Sequence, residues 1–152
     1  MKWKLLTAIA AAGLVLPALG LAVLSALSRR PANVGVVNGH LAACPNSPNC
    51  VSTLADDWEH HLEPLAFNGA AHDALETLKT IVGKLPRTKV VTESDNYLHV
   101  EFTSALFRFV DDVEFLVDTE NRQVHFRSAS RVGHGDLGAN RRRMEAIERA
   151  FR

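Results

Sequence analysis

The tightest constraint on how this chain can fold lies in two runs that flank a polar turn, Leu106 to Asp118 and Gln123 to Ser128. Val113, Phe115 and Val117 recur at every second position of the first run, and Val124 and Phe126 do so in the second. A period of two is the mark of a strand with one buried face. With the turn centred on Glu120-Asn121, an antiparallel hairpin sets Val117 opposite Val124 and Phe115 opposite Phe126, and Glu114 then faces Arg127. Apolar pairs fall on one face and an ion pair on the other; a slip of one residue would destroy both.

The rest of the C-terminal two-thirds extends this pattern. Lys89 to Glu93 and Tyr97 to Ser104 alternate around Ser94-Asp95-Asn96 and read as a second hairpin. Ala71, Leu75, Leu78, Val82 and Leu85 form one apolar stripe, which predicts a helix from about Ala70 to Lys84, with Asn68 as its cap and Pro86 ending it. Leu137, Met144, Ile147 and Phe151 predict a closing helix from about Leu137 to Phe151. Asp136 is its natural N-cap, and Arg149 and Arg152 suit the negative end of its dipole. The expected class is α+β: a four-stranded antiparallel sheet of two hairpins, covered on one face by both helices.

Upstream, Leu5 to Leu27 is a 23-residue stretch without a charge, preceded by Lys2 and Lys4 and followed by Arg29 and Arg30. As a helix it would be roughly 34 Å long, enough to cross the hydrocarbon layer. A cleaved signal ending at Ala26-Leu27-Ser28 is one reading. The length favours an uncleaved signal-anchor that exports the C-terminal domain to the periplasmic side of a bacterial inner membrane. Residues 1–30 are thus expected as a membrane segment, 31–40 as a tether and 41–152 as one domain. Ser28 to Gly39 reads as poorly ordered and Leu41 to Pro64 as irregular. Residues 127–152 carry seven arginines and three acids, whereas 31–126 stand at net −8. The basic segment either packs on an acidic face of its own domain or meets an anionic partner. A net-acidic exported domain without a recognised nucleic-acid motif is no nucleic-acid binder.

Candidate site residues concentrate in Arg127 to Arg143, RSASRVGHGDLGANRRR. Glycines expose backbone N–H groups and arginines bring forked donors, the chemistry of carboxylate and phosphate binding. Arg127, Ser130, Arg131, His134, Asp136, Asn140 and Arg141 are the candidate ligand-binding set. Two uses compete with a ligand: an Asp136 cap would occupy the same N–H groups, and Asp111, Asp112 and Glu114 could neutralise the arginines. Three residues on one loop rarely make a triad, so Ser130, His134 and Asp136 do not read as one. The acidic cluster is more naturally paired with arginine than a cation site, and Glu59, His60 and His61 read as surface, so neither metal nor cofactor is expected. Cys44 and Cys50 flank Pro-Asn-Ser-Pro-Asn, a turn that favours a disulfide staple; a redox or metal-binding thiol pair is the other reading. Leu41-Ala42-Ala43-Cys44 imitates a lipoprotein signal, but the apolar run ends too early for it.

Three motifs together, Cys44-Pro45-Asn46-Ser47-Pro48-Asn49-Cys50-Val51-Ser52-Thr53, Phe109-Val110-Asp111-Asp112-Val113-Glu114-Phe115 and Arg127-Ser128-Ala129-Ser130-Arg131-Val132-Gly133 with Asp136-Leu137-Gly138-Ala139-Asn140-Arg141, resemble the domain of unknown function 1499 family. The resemblance covers roughly Leu41 to Phe151; His134 departs from it, standing where an aromatic is expected. It implies no reaction. It does imply that the Cys44–Cys50 loop, Asp111/Asp112/Glu114 and Arg127/Arg131/Asn140/Arg141 share one surface. The resulting expectation is a non-catalytic domain that binds an anionic small molecule, lipid head group or envelope protein. A hydrolase using His134 with Asp136, a thiol oxidoreductase using Cys44 and Cys50, and a purely structural envelope protein are the alternatives.

Overall fold

The structure, a computed structural model, describes residues 2–152; the side chains of residues 2, 4–12 and 14 lie outside the description. The chain opens with helix α1 (Lys2–Leu27), which contains Pro17. Among the described residues no helix is long and apolar enough to cross a membrane. The membrane segment expected from Leu5 to Leu27 is part of α1, and several of its side chains lie outside the description.

The domain is α+β, as the alternation implies, but its sheet is larger than two hairpins. Strands β5 (Thr88–Glu93), β6 (Tyr97–Thr103), β7 (Val110–Asp118) and β8 (Gln123–Ser130) form the expected antiparallel run. Val117 pairs with Val124, Phe115 with Phe126 and Glu114 with Arg127, the register that the two-residue period requires. The free edge of β8 is then covered by β3 (Cys50–Ser52) and β4 (Leu65–Ala66), giving six strands. Both additions come from the region expected to be irregular. Strands of two or three residues carry too few positions for a period to show, and their hydrogen bonds go to a partner some 60 to 80 residues away.

Helices α2 (Ala71–Gly83) and α3 (Ala139–Phe151) pack on the face made by Leu98, Val100, Val113, Phe115, Val117, Val124 and Phe126. From α2 the core receives Ala74, Leu75, Leu78 and Val82; from α3, Met144 and Ile147. Two cap expectations change. Asn68 does not cap α2, whose first residue follows Ala70 without any side-chain cap bond. Asp136 does hold the start of α3, its carboxylate accepting from the N–H groups of Gly138 (2.8 Å) and Asn140 (2.7 Å). The helix itself begins two residues later than expected, because Leu137 and Gly138 both take left-handed backbone conformations. Leu137 is therefore swung off the apolar face it was expected to join and stands 94% exposed.

The second face of the sheet is also covered, by the segment expected to be a loose tether. Strands β1 (Val36–Val37) and β2 (His40–Leu41) form a small hairpin around Asn38-Gly39. Both turn residues have positive φ, 52° and 81°, the conformation of a tight primed turn for which Asn-Gly is the preferred pair. Leu41 packs with Tyr97 and Leu116 on this second face. Residues 28–49 are thus a strap laid across the sheet opposite the helices.

Candidate functional site

Alternation along β6, β7 and β8 sends Tyr97, His99, Glu101, Asp112, Glu114, Arg127 and Ala129 to the strap side. Isolated charges cannot be buried at tolerable cost, so each carboxylate must be met by donors. Glu114, fully buried, accepts from the Tyr97 hydroxyl (2.8 Å), the backbone N–H of Gly35 in the strap (2.7 Å) and the Arg127 guanidinium (3.2 Å). Asp112 accepts from His99 Nε2 (2.8 Å) and from two nitrogens of Arg131 (2.8 and 2.7 Å). Arg131 also reaches Glu101, whose same oxygen accepts from Arg30 at 3.0 Å. The question left by the sequence is thereby answered: these acids and arginines neutralise one another across the sheet.

Burial works against ionisation of Asp112, but hydrogen bonds from Arg131 and His99 outweigh it and hold the carboxyl at about 2. Glu101 is likewise drawn below its ordinary value, burial being outweighed by Arg131 and Arg30. Burial and then the Glu114 charge push the Tyr97 phenol far up. A carboxylate held ionised this firmly is a poor proton shuttle near neutral pH, since general acid–base work wants a pKa near the working pH.

One donor in this layer has no partner. Arg127 is 4% exposed, and its Nε is buried without a hydrogen bond among the described residues. Arg127 lines a cavity of about 290 Å³ between strap and sheet, bounded also by Pro31, Asn33, Cys44, Asp112 and Ser130. The Ser130 hydroxyl oxygen accepts from Asn140 Nδ2 at 3.0 Å, which leaves its proton to donate. Both Asp112 oxygens are already occupied. The cavity is thus lined by a residue that still has a donor to satisfy. A wider hollow of about 510 Å³ along α2, near Glu76 and Lys84, is lined by no comparable buried, unpaired group among the described residues.

The remaining candidates separate. Asp111 points to the helix side, where Arg143 pairs with it at 2.5 Å and stacks on Phe102, so the acidic cluster is split between two faces by alternation itself. Asn140 is buried and joins Ser128, Ser130 and the Asn49 carbonyl. Arg141 turns away to the carbonyls of Trp58, Glu59 and His61, and therefore does not share the surface of Arg127 and Arg131. Asp136 spends its carboxylate on the start of α3, and His134 stands exposed with no hydrogen bond to Ser130 or Asp136. Cys44 and Cys50 are joined in a disulfide, Cα atoms 5.7 Å apart, that closes the loop at the cavity mouth. His60, expected at the surface, is buried between Asp57 and the Ser47 carbonyl. Among the described residues no three His, Cys, Asp or Glu side chains converge on a metal-binding point. Tyr97, His99, Glu101 and Gly35 were absent from the sequence-derived set. Tyr97, His99 and Glu101 share a parity on β6, and Asn38-Gly39 marks the strap hairpin, so a signal existed for both.

A buried ion-pair layer between a sheet and a disulfide-stapled strap defines a small α+β domain built around a polar cavity. The chain belongs to the family described as a protein of unknown function (DUF1499), which matches residues 40–151. No curated protein matches the chain.

Proposed function

We propose that this is a membrane-anchored, exported binding domain whose ligand is a small molecule bearing an oxyanion, held in the cavity between strap and sheet. The observation that carries the reading is the orphan Nε–H of the buried Arg127, a residue that lines that cavity. A buried donor left without an acceptor costs roughly 1–3 kcal/mol, and a ligand oxygen recovers it. The cavity is close to the lower size of small-molecule sites, about 300 Å³. Anchoring rests on the charge-free Leu5 to Leu27 run, and export to the periplasmic side on the Cys44–Cys50 disulfide, which persists in oxidising compartments.

The test is calorimetric titration of the detergent-solubilised full chain with inorganic phosphate and with short carboxylates. Two variants accompany it. Ala129→Leu fills the cavity without touching a charge, and Arg127→Lys keeps the charge facing Glu114 but removes the orphan N–H. Saturable binding that weakens about ten-fold or more in both, equal to ~1.4 kcal/mol, supports the reading. Binding unchanged by either variant sinks the cavity as the site. Absence of binding, with recovery of the chain in a stable complex with another envelope protein, replaces the reading with a structural one.

A further inference from the structure

Leu137 is the oddest residue of the molecule: a large apolar side chain 94% exposed, on a backbone with φ of 55°. Left-handed backbone is strained for a leucine, and an exposed leucine gains nothing from the fold in return. The surroundings nevertheless hold it there. Arg142 donates to the Leu137 carbonyl at 2.7 Å, and the Asp136 carboxylate grips the N–H groups of Gly138 and Asn140. A second exposed leucine, Leu106, stands 79% exposed in the loop of residues 104–109, which is closed by the Ser104 N–H to Phe109 carbonyl bond and the Phe109 N–H to Ser104 hydroxyl bond. Both loops leave the same end of the sheet: Thr103 pairs with Val110, Asp111 with Ser130, and Ser104 and Ala139 border one hollow.

That end is also where α1 departs. Arg30 and Arg131 share the Glu101 carboxylate, and Arg131 begins the loop that carries Leu137. Only Ser28 and Arg29 separate the end of α1 from the pin at Arg30, at most about 10 Å of backbone. Exposed Arg108 and Arg142 stand two and five residues beyond Leu106 and Leu137, and exposed Arg29 adjoins the pin at Arg30, the charge that suits anionic head groups.

We propose that the loops of residues 132–138 and 104–109 rest on the bilayer that holds α1, with Leu137 and Leu106 entering its interfacial layer. The proposal rests on the reading of Leu5 to Leu27 as a membrane anchor. Contact at this end fixes the tilt of the domain and sets the strap, which runs on from Arg30, close to the membrane surface.

The experiment uses the full chain reconstituted into vesicles of phosphatidylethanolamine with a minority of phosphatidylglycerol. The native cysteines are both in the disulfide, so a single new cysteine is the only free thiol. An environment-sensitive fluorophore is placed at Leu137→Cys, at Leu106→Cys and, as the control at the opposite end of the sheet, at Glu120→Cys. Lipids carrying a quencher at the head-group boundary should quench the labels at 137 and 106 about two-fold or more above the label at 120, as expected for side chains within the interface. Equal quenching at all three positions, with the chain still floating with the vesicles, overturns the proposal and leaves the anchor standing. A chain that does not float with the vesicles overturns both.

Discussion

The two faces of one sheet are stabilised by different physics. The helix-covered face is a close-packed apolar layer, in which Phe115, Phe126, Leu98 and Val113 are fully buried against α2 and α3. Its energy is distributed over many weak contacts, roughly proportional to the area removed from water. The strap-covered face holds Glu114, Asp112, His99 and Arg127 at equal depth, and each is tolerated only because specific donors meet it. The first face tolerates exchange of one hydrocarbon for another. The second tolerates almost nothing, and it is the face that keeps a donor in reserve.

The sharpest way to break this contrast is Glu114→Gln. The change is nearly isosteric, yet it leaves the buried Arg127 charge uncompensated and should destabilise the fold by about 3–5 kcal/mol, read from urea unfolding. A loss below about 1 kcal/mol would mean that the Arg127 charge finds compensation elsewhere. Acid should act on the same face. The Asp112 carboxyl sits at about 2 in the folded state against an ordinary 3.8. Its contribution, on the order of 2 kcal/mol, is present above about pH 5 and is lost as pH falls towards 2. Asp112→Asn should flatten that part of the pH–stability curve; an unchanged curve would relieve Asp112 of the role. Opening the Cys44–Cys50 loop by Cys44→Ser tests the strap's staple and should cost about 2 kcal/mol through the entropy regained by the unfolded chain, with the thermal midpoint as readout. On the apolar face, Ile147→Val removes one buried methylene and should cost about 1 kcal/mol. If Ile147→Val proves as costly as Glu114→Gln, the two faces do not differ in kind.

Much of the sheet was legible because local period and long-range pairing agree in it. The β7–β8 register follows from Val113, Phe115, Val117, Val124 and Phe126 alone, and it carries the Glu114–Arg127 pair with it. The stripe on α2 was equally plain. The edge strands β3 and β4 were not, since two or three residues have no period and their pairing is decided by β8. The candidate site was half legible. Arg127, Ser130 and Arg131 were marked by the arginine–glycine stretch, but the same mark fell on Asp136 and Arg141, whose side chains serve the start of α3 and the carbonyls near Trp58. Residue type announces what a side chain can bind; only its orientation says what it does bind.

Residue order alone determines the α+β class, the pairing of the central strands and the division of β7 and β8 into an apolar and a charged side. These are consequences of a two-residue period, which any extended segment obeys wherever it lies. The cover on the charged side is of another kind. Gly35 reaches Glu114 across 79 residues and Arg30 reaches Glu101 across 71. A period tells which way a side chain points, and it carries no information about the distant backbone that will cover it. The strap, the cavity beneath it and the unpaired nitrogen of Arg127 exist only once those remote segments are brought together, because burial and hydrogen-bond satisfaction belong to the assembled packing.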